Sequence, residues 1–139
     1  MLTELFGYTV VERHEEGVRF RGAGGLESEL FVVEKDGPVE RPGRGSIHHI
    51  ALKVADEQEL KQWEQNIRDF GLQTSAIIDR YYFKSLYVKL VGHIIFELAT
   101  DGPGFLRDGT IETLGEKLDL PDFLEPHRAE IEADLKPID

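Results

Sequence analysis

The stretch GSIHHIALKV, residues 45–54, places two adjacent histidines at the start of a short apolar run. Successive side chains of a strand point to opposite faces, so only His48 or His49 can share a face with a site that this strand serves. The two predicted faces carry His48, Ile50, Leu52 and Val54 on one side and His49, Ala51 and Lys53 on the other. Because the apolar face must pack under a helix, we expect His49 to look to the opposite, concave side.

A helix and three further strands follow this stretch. Asp56 and Glu59 form an acidic version of the capping box, which predicts that a helix begins there. Apolar residues at helical spacing continue it to Gly71, and they are Leu60, Trp63, Ile67 and Phe70. The first strand is Ile47–Val54, and the others are predicted at Thr74–Asp79, Tyr82–Leu90 and Ile94–Thr100. The predicted order of this block is therefore βαβββ.

The preceding residues look like the same unit without its front. Thr3–Phe6 is predicted as the last turn of a helix, and strands are predicted at Tyr8–Glu12, Val18–Arg21 and Leu30–Glu34. A connector rich in proline and glycine, Asp36–Gly45, joins the two blocks. This repeat of element order predicts an α+β fold of tandem βαβββ modules with the first one truncated. Because a natural domain does not normally begin within a helix, we expect a fragment, a split gene product or a shortened form.

The chain thus divides into a truncated module with its connector (residues 1–45), a complete module (residues 46–100) and a tail with a helix (residues 101–139). Its 139 residues are enough for one domain with a real core. A formal net charge of −11 disfavours a nucleic-acid partner, and no apolar run approaches the roughly 20 residues of a membrane helix. The absence of cysteine excludes disulfides, thiolate metal sites and cysteine nucleophiles, and it fits a cytoplasmic protein.

An acidic residue, Glu97, interrupts the apolar strand predicted at Ile94–Thr100. It falls on the side that His49 faces, and a buried carboxylate is costly unless something compensates its charge. A metal is one candidate, and a structural hydrogen bond to His49 is the simpler alternative. If residues 91–93 form a hairpin loop, Tyr87 lies directly opposite Glu97, where its hydroxyl can hydrogen-bond a metal-bound oxygen or a substrate.

Several segments carry a resemblance to a known family: HHIALKV, IIDRYYFKSLYV, IIFELATDGPGF, LGEKLDLP and FLEPHRAEIEADL. Together they resemble the C-terminal part of the ring-cleaving dioxygenases of the vicinal oxygen chelate (glyoxalase) superfamily, above all the hydroquinone-type extradiol dioxygenases. Members of that family are longer and contain more βαβββ modules. The chain is similar to the end of one module, the whole of the next and the C-terminal tail, so the resemblance covers nearly all of it.

The resemblance implies a metal site and a reaction. The family's metal is Fe(II), sometimes Mn(II), held by two histidines and one glutamate so that positions stay open for an aromatic diol and O₂. Matched by motif, His49 and Glu97 would be two of these ligands, and the family's remaining histidine lies in an N-terminal module. Arg80 and Tyr87 match positions around the pocket, where they would steady an anionic or oxygen-bearing substrate and hydrogen-bond it near the metal.

The same resemblance sets the expected partners: a hydroquinone- or catechol-type diol, O₂, and either further copies of the chain or the missing N-terminal modules. With two ligands out of three, the isolated chain would bind iron weakly and could be inactive. Two other functions stay open, namely a non-catalytic binding protein of the bleomycin-resistance kind and a lyase or isomerase of the glyoxalase kind. The turn Val91-Gly92-His93 departs from the Pro-Gly-Gly that is usual in the family.

Overall fold

Two β-sheets and one long helix make up the computed structural model, which describes residues 1–38, 43, 45–90 and 94–136. One sheet has the strand order β1-β2-β3, and the other has the order β4-β7-β6-β5. The strands are β1 (Thr9–Arg13), β2 (Val18–Arg21), β3 (Glu29–Val32), β4 (Ile50–Val54), β5 (Ile78–Asp79), β6 (Lys84–Lys89) and β7 (Ile95–Thr100). The α-helices are α1 (Glu57–Asp69) and α2 (Arg128–Asp134), and short 3₁₀ helices lie at Gly25–Ser28, Phe105–Arg107 and Glu125–His127. No helix within the described residues is long and apolar enough to cross a membrane.

The second block has the βαβββ order that the sequence predicts. β4 runs parallel to β7, with Ala51 beside Glu97, and β6 lies antiparallel on the other side of β7. Tyr87 is the antiparallel partner of Glu97, as the hairpin prediction requires. The loop predicted at residues 91–93 lies outside the described residues. This sheet therefore places Ala51, Glu97 and Tyr87 side by side on one face.

β4 is shorter than the sequence predicts. It begins at Ile50 rather than at Ile47, so His48 and His49 lie in the segment directly before the strand. The exposure of β4 still alternates, because Ile50, Leu52 and Val54 are the more buried positions. The predicted division into an apolar and a concave face is therefore confirmed along the strand itself.

The strand predicted at Thr74–Asp79 is wrong in its extent, since only Ile78 and Asp79 form β5. Ser75 explains part of the interruption. Its N–H donates to the carbonyl of Tyr87 at 2.9 Å, while its hydroxyl accepts from the Tyr87 N–H at 2.9 Å. A side-chain oxygen thus takes the place that a strand carbonyl would occupy, and regular pairing resumes only at Ile78.

Helix α1 covers the opposite face of the four-stranded sheet. Its start is fixed by the Asp56 carboxylate, which accepts from the Glu59 N–H at 2.9 Å. Its apolar stripe meets a core formed by Val54, Leu60, Ile67, Leu86, Val88, Leu90, Phe96 and Leu98. Phe70 does not join this core, because it lies at the C-terminal end of the helix and remains 39% exposed. With one face of the sheet filled by α1, the other face is left for a site.

The first block is a three-stranded antiparallel sheet that packs on the second block through its N-terminal residues. The predicted helix end at Thr3–Phe6 is a single turn, closed by the Leu5 N–H donating to the Met1 carbonyl at 2.9 Å. The Phe6 ring lies 5.5 Å from the ring of Trp63 and 5.3 Å from that of Phe96. The turn therefore anchors the first block to the helix and sheet that carry the site residues.

Candidate functional site

Glu97 is a buried carboxylate that contacts an imidazole. It lies in the middle of β7 and is only 4% exposed, and its Oε2 is 2.8 Å from Nε2 of His49. His49 precedes Ala51 by two residues, so its side chain lies on the face where Ala51 neighbours Glu97. The structure thus brings together the histidine and the glutamate that the sequence singles out. Their role as metal ligands remains a prediction.

Tyr87 and Arg80 extend this pair into a continuous chain of contacts. The Tyr87 hydroxyl donates to Oε1 of Glu97 at 2.5 Å. The Arg80 guanidinium donates to the Tyr87 hydroxyl at 3.2 Å and lies 5.4 Å from the centre of its ring. All four predicted site residues are therefore linked in the order His49, Glu97, Tyr87, Arg80. The two carboxylate oxygens of Glu97 have separate partners, which fixes the carboxylate plane.

His48 supports His49 rather than competing with it for Glu97. The Nδ1 atoms of the two rings are 2.8 Å apart, so one of them must carry the proton that joins them. If His48 donates, a neutral His49 can present its Nε2 proton to Glu97. A metal ligand at Nε2 requires the other tautomer, in which His49 donates from Nδ1 to His48. Such a hydrogen bond from the far nitrogen is typical of histidines that bind metals.

The donor atoms of His49 and Glu97 suit two neighbouring positions around one metal ion. Donors about 2.1 Å from a metal and at a right angle to each other lie about 3 Å apart, close to the separation of Nε2 and Oε2. The described residues contain no group of three histidine, aspartate or glutamate side chains that could hold a metal. The fit therefore extends to two ligands, and any third donor must come from outside this group.

Sequence reasoning missed Ser85, which belongs to the same face of β6 as Tyr87. Its side chain is fully buried, and its hydroxyl has no hydrogen-bond partner among the described residues. Ser85 lies opposite Ala99, so the sheet beside Glu97 presents small side chains. The alternation of β6 could have placed Ser85 on this face, but a serine within an apolar strand gives no sign of function by itself.

A second polar cluster lies where the loop between β5 and β6 meets the tail. The Tyr81 hydroxyl donates to Oδ1 of Asp108 at 3.1 Å. Burial and, as the second cause, the nearby Asp108 carboxylate together raise the pKa of Tyr82 to about 12, because both disfavour a negative charge on its oxygen. The Tyr82 hydroxyl and Oδ2 of Asp108 are both buried without a hydrogen-bond partner in the described part of the chain. Sequence reasoning did not link these residues, which are far apart in the chain.

Replacing Asp108 by asparagine is expected to lower the pKa of Tyr82 below about 12 but to leave it above the ordinary tyrosine value of about 10, because burial, the larger cause, remains. In the original chain, unfolded Tyr82 loses its proton near pH 10 while the folded protein retains it, so the free energy of unfolding falls as the pH rises from about 10 to about 12. NMR titration of isotope-labelled tyrosine measures the shift, with Asp134→Asn on the exposed α2 as the control. A Tyr82 pKa that does not respond to Asp108→Asn would show that burial acts alone.

Curated proteins with similar sequences carry dioxygenase names. No protein-family model matches the chain. The chain is 46% identical over 145 residues to "Putative ring-cleaving dioxygenase MhqA" of Bacillus subtilis. This alignment covers 99% of this chain and 46% of that protein. It is 32% identical over 117 residues to the chlorohydroquinone/hydroquinone 1,2-dioxygenase of Sphingobium indicum, covering 79% of this chain and 35% of that protein. The chain therefore spans less than half the length of these relatives.

Solved structures with the same fold agree with the sequence relatives. A putative dioxygenase from Bacillus subtilis superposes with a TM-score of 0.87 at 38% identity, over 99% of this chain and 45% of that one. A glyoxylase/bleomycin resistance protein/dioxygenase domain from Frankia sp. superposes with a TM-score of 0.60 at 17% identity, over 72% of this chain and 83% of that one. At this lower identity the second likeness concerns the fold alone. The α+β architecture predicted from the sequence is that of these proteins.

Proposed function

Because the chain belongs to the superfamily of the glyoxalases, bleomycin-resistance proteins and ring-cleaving dioxygenases, we propose that it provides part of the active site of a metal-dependent, extradiol-type dioxygenase. The observation that carries the proposal is the contact between His49 and the buried Glu97. The proposed substrates are hydroquinone- or catechol-type diols and O₂. One ring C–C bond breaks, and both atoms of O₂ enter the ring-opened product.

The metal in this proposal is Fe(II) or Mn(II), held by His49 Nε2 and Glu97 Oε2 together with a third donor from outside the described residues. When bound, such a metal supplies open coordination positions through which ring electrons reach O₂. The residues of this chain hold the site together around it. Tyr87 keeps its hydrogen bond to Oε1 of Glu97, which leaves Oε2 directed toward His49. The burial of Glu97 limits the access of water to this side of the site.

Arg80 and Tyr87 are proposed to orient the diol. The Arg80 guanidinium lies at the Tyr87 hydroxyl and provides a fixed positive charge within a chain whose net charge is −11. An ionised ring oxygen that approaches this pair gains a charge-assisted hydrogen bond from Arg80, because the single proton of the Tyr87 hydroxyl stays on its bond to Glu97. The two residues thereby favour substrates that carry an acidic hydroxyl over neutral aromatic rings of the same size.

A neighbouring module is proposed to complete the site. The sequence relatives are more than twice as long as this chain, and only two metal donors come together within its described residues. We propose that either a second copy or an N-terminal module of the same kind supplies the third ligand and pairs with the open edge of β3. The isolated chain would then bind metal weakly.

Because only two metal donors come together within the described residues, a function without metal is the main alternative. A binding protein of the bleomycin-resistance kind uses the same fold without metal, and the contact between His49 and Glu97 would then be a structural hydrogen bond. A lyase or isomerase of the glyoxalase kind is the remaining candidate. The three functions differ in whether they need a metal, consume O₂ or depend on glutathione.

Oxygen uptake distinguishes these functions. We expect the assembled protein, supplied with Fe(II) or Mn(II), to consume hydroquinone and O₂ in equal amounts and to ignore the dimethyl ether of hydroquinone, which has no ionisable hydroxyl. The measurement combines an oxygen electrode with metal analysis of the purified protein. If the protein binds the diol in the absence of metal and consumes no oxygen, the result would support the binding-protein function and overturn the dioxygenase proposal. Turnover that depends on glutathione would identify the glyoxalase kind.

A further inference from the structure

The loop between β5 and β6 holds a bulky residue in a backbone conformation that favours glycine. The N–H of Arg80 donates to the carbonyl of Phe83 at 2.8 Å, so Tyr81 and Tyr82 form a two-residue hairpin loop. Tyr81 has a φ of 71°, which lies in the left-handed region. Hairpin loops that need this conformation normally place glycine, asparagine or aspartate there. Contacts from elsewhere must therefore hold Tyr81 in place.

Those contacts come from the tail. Arg107 donates to the carbonyl of Tyr81 at 2.8 Å, and its guanidinium lies 3.8 Å from the centre of the Tyr81 ring. The Tyr81 hydroxyl donates to Asp108, and the N–H of Gly104 donates to the carbonyl of Tyr82 at 2.7 Å. The tail thus contacts the backbone of both loop residues, the face of the Tyr81 ring and the Tyr81 hydroxyl. We call residues 104–108 the tail clamp.

The position of Arg80 depends on this loop. Arg80 closes the hairpin, and its carbonyl also accepts from the Tyr82 N–H at 2.9 Å. Its side chain is exposed and reaches the site through one hydrogen bond, to the Tyr87 hydroxyl at 3.2 Å. A long, exposed arginine with a single hydrogen bond has much rotamer freedom to lose. Its placement at Tyr87 is therefore sensitive to a small shift of the backbone at Tyr81.

We propose that Arg107 and Asp108 are positioning residues, which hold the Tyr81 loop and thereby keep the Arg80 guanidinium at the Tyr87 hydroxyl. Neither residue touches the substrate in this scheme. The consequence for binding rests on the proposed function, since it assumes that Arg80 and Tyr87 orient an acidic diol. The effect on Arg80 itself does not depend on any activity.

Arg107→Ala tests the clamp, and Arg107→Lys is its conservative partner, because lysine keeps a cation near the Tyr81 ring and one donor for its carbonyl. Arg68→Ala is the matched control, since Arg68 is another exposed arginine and is paired with Glu64 on α1, away from the Tyr81 loop. The first readout is the NMR signal of the Arg80 side-chain N–H in the metal-free protein. We expect this signal to shift and broaden in Arg107→Ala, to recover largely in Arg107→Lys and to stay unchanged in Arg68→Ala.

The second readout is steady-state turnover of the assembled, metal-loaded protein. We expect Arg107→Ala to raise KM for hydroquinone about tenfold, the factor expected when the substrate loses one hydrogen bond from a displaced Arg80, with little change in kcat. Asp108→Asn, which keeps the shape of the side chain, is expected to change both readouts in the same direction but less. It serves as the second variant if Arg107→Ala does not fold.

The two readouts separate the possible failures. An unchanged Arg80 signal in both clamp variants would overturn the positioning role, whatever the protein catalyses. If the Arg80 signal shifts in the clamp variants but the original protein takes up no oxygen, the positioning role of the tail clamp is supported and the proposed function is overturned. A fall in kcat with an unchanged KM would contradict the assignment of the clamp to substrate orientation.

Discussion

Replacing Glu97 by glutamine is expected to remove nearly all binding of Fe(II) or Mn(II) and, with it, ring cleavage. Glutamine has almost the same volume and can still hydrogen-bond the Tyr87 hydroxyl and His49, so the fold should persist. It lacks the negative charge that a metal ligand supplies. Because the loss of an outer partner of a ligand already weakens metal binding about 10- to 100-fold, the loss of a ligand should exceed about 100-fold. Metal analysis and isothermal titration calorimetry measure this, with circular dichroism to check folding.

The two histidines give the matched comparison for this experiment. His49→Ala is expected to lose metal as severely as Glu97→Gln, since its Nε2 lies 2.8 Å from the carboxylate. His48→Ala removes only a hydrogen-bond partner of His49 and should weaken metal binding about tenfold, the low end of that range, because water can replace the exposed His48 ring. Equal loss in His48→Ala and His49→Ala would show that the assignment of the two faces is wrong. Retention of metal by Glu97→Gln would reduce the pair to a structural hydrogen bond.

The alternation of strands made the centre of this site predictable. Glu97, Tyr87 and Ala51 lie on one face because each strand has a two-residue repeat, and the repeat holds whether or not the exact ends of the strand are known. His49 follows the same parity although it lies just before β4. A residue's face can thus be predicted from local sequence once an apolar set fixes the direction of the core. The ligand role needs more, because a third donor does not appear among the described residues.

The outer part of the site could not be predicted in this way. Arg80 depends on the Tyr81 loop, and the loop depends on Arg107 and Asp108, which lie more than twenty residues further along the chain. Such contacts follow no period, and charged residues in a loop usually remain solvated. The positive φ of Tyr81 could not be predicted from the sequence either, since a tyrosine gives no signal for a conformation that glycine normally adopts. Only the packed tail reveals why the loop is stable.

The internal repeat predicted from the sequence points to β3 as the edge where a partner should bind. In the second block, β7 has β6 on one side and the parallel strand β4 on the other. The equivalent strand of the first block, β3, pairs only with β2 within the described residues. An apolar groove of about 530 Å³ lies beside it, lined by Leu30, Phe31, Val32 and Val33 of this segment and by Ile94 and other residues of the second block. Unpaired apolar edges of this kind attract further strands.

We therefore expect the chain to form a homodimer or a larger assembly at micromolar concentration, and Val32→Lys to return it to a monomer. Burying an unpaired lysine at the interface would cost about 3 kcal/mol or more, which weakens association more than about 100-fold. Val11→Lys is the control, because Val11 lies on the opposite edge strand β1 and its exposed fraction, 40%, is close to the 37% of Val32. In the predicted repeat, β1 corresponds to β5, which is also an edge strand in the second block. Sedimentation velocity and light scattering distinguish the outcomes. A stable monomer with full metal occupancy would show that the first block closes on itself, and equal dissociation by both lysine variants would show that β3 is not the interface.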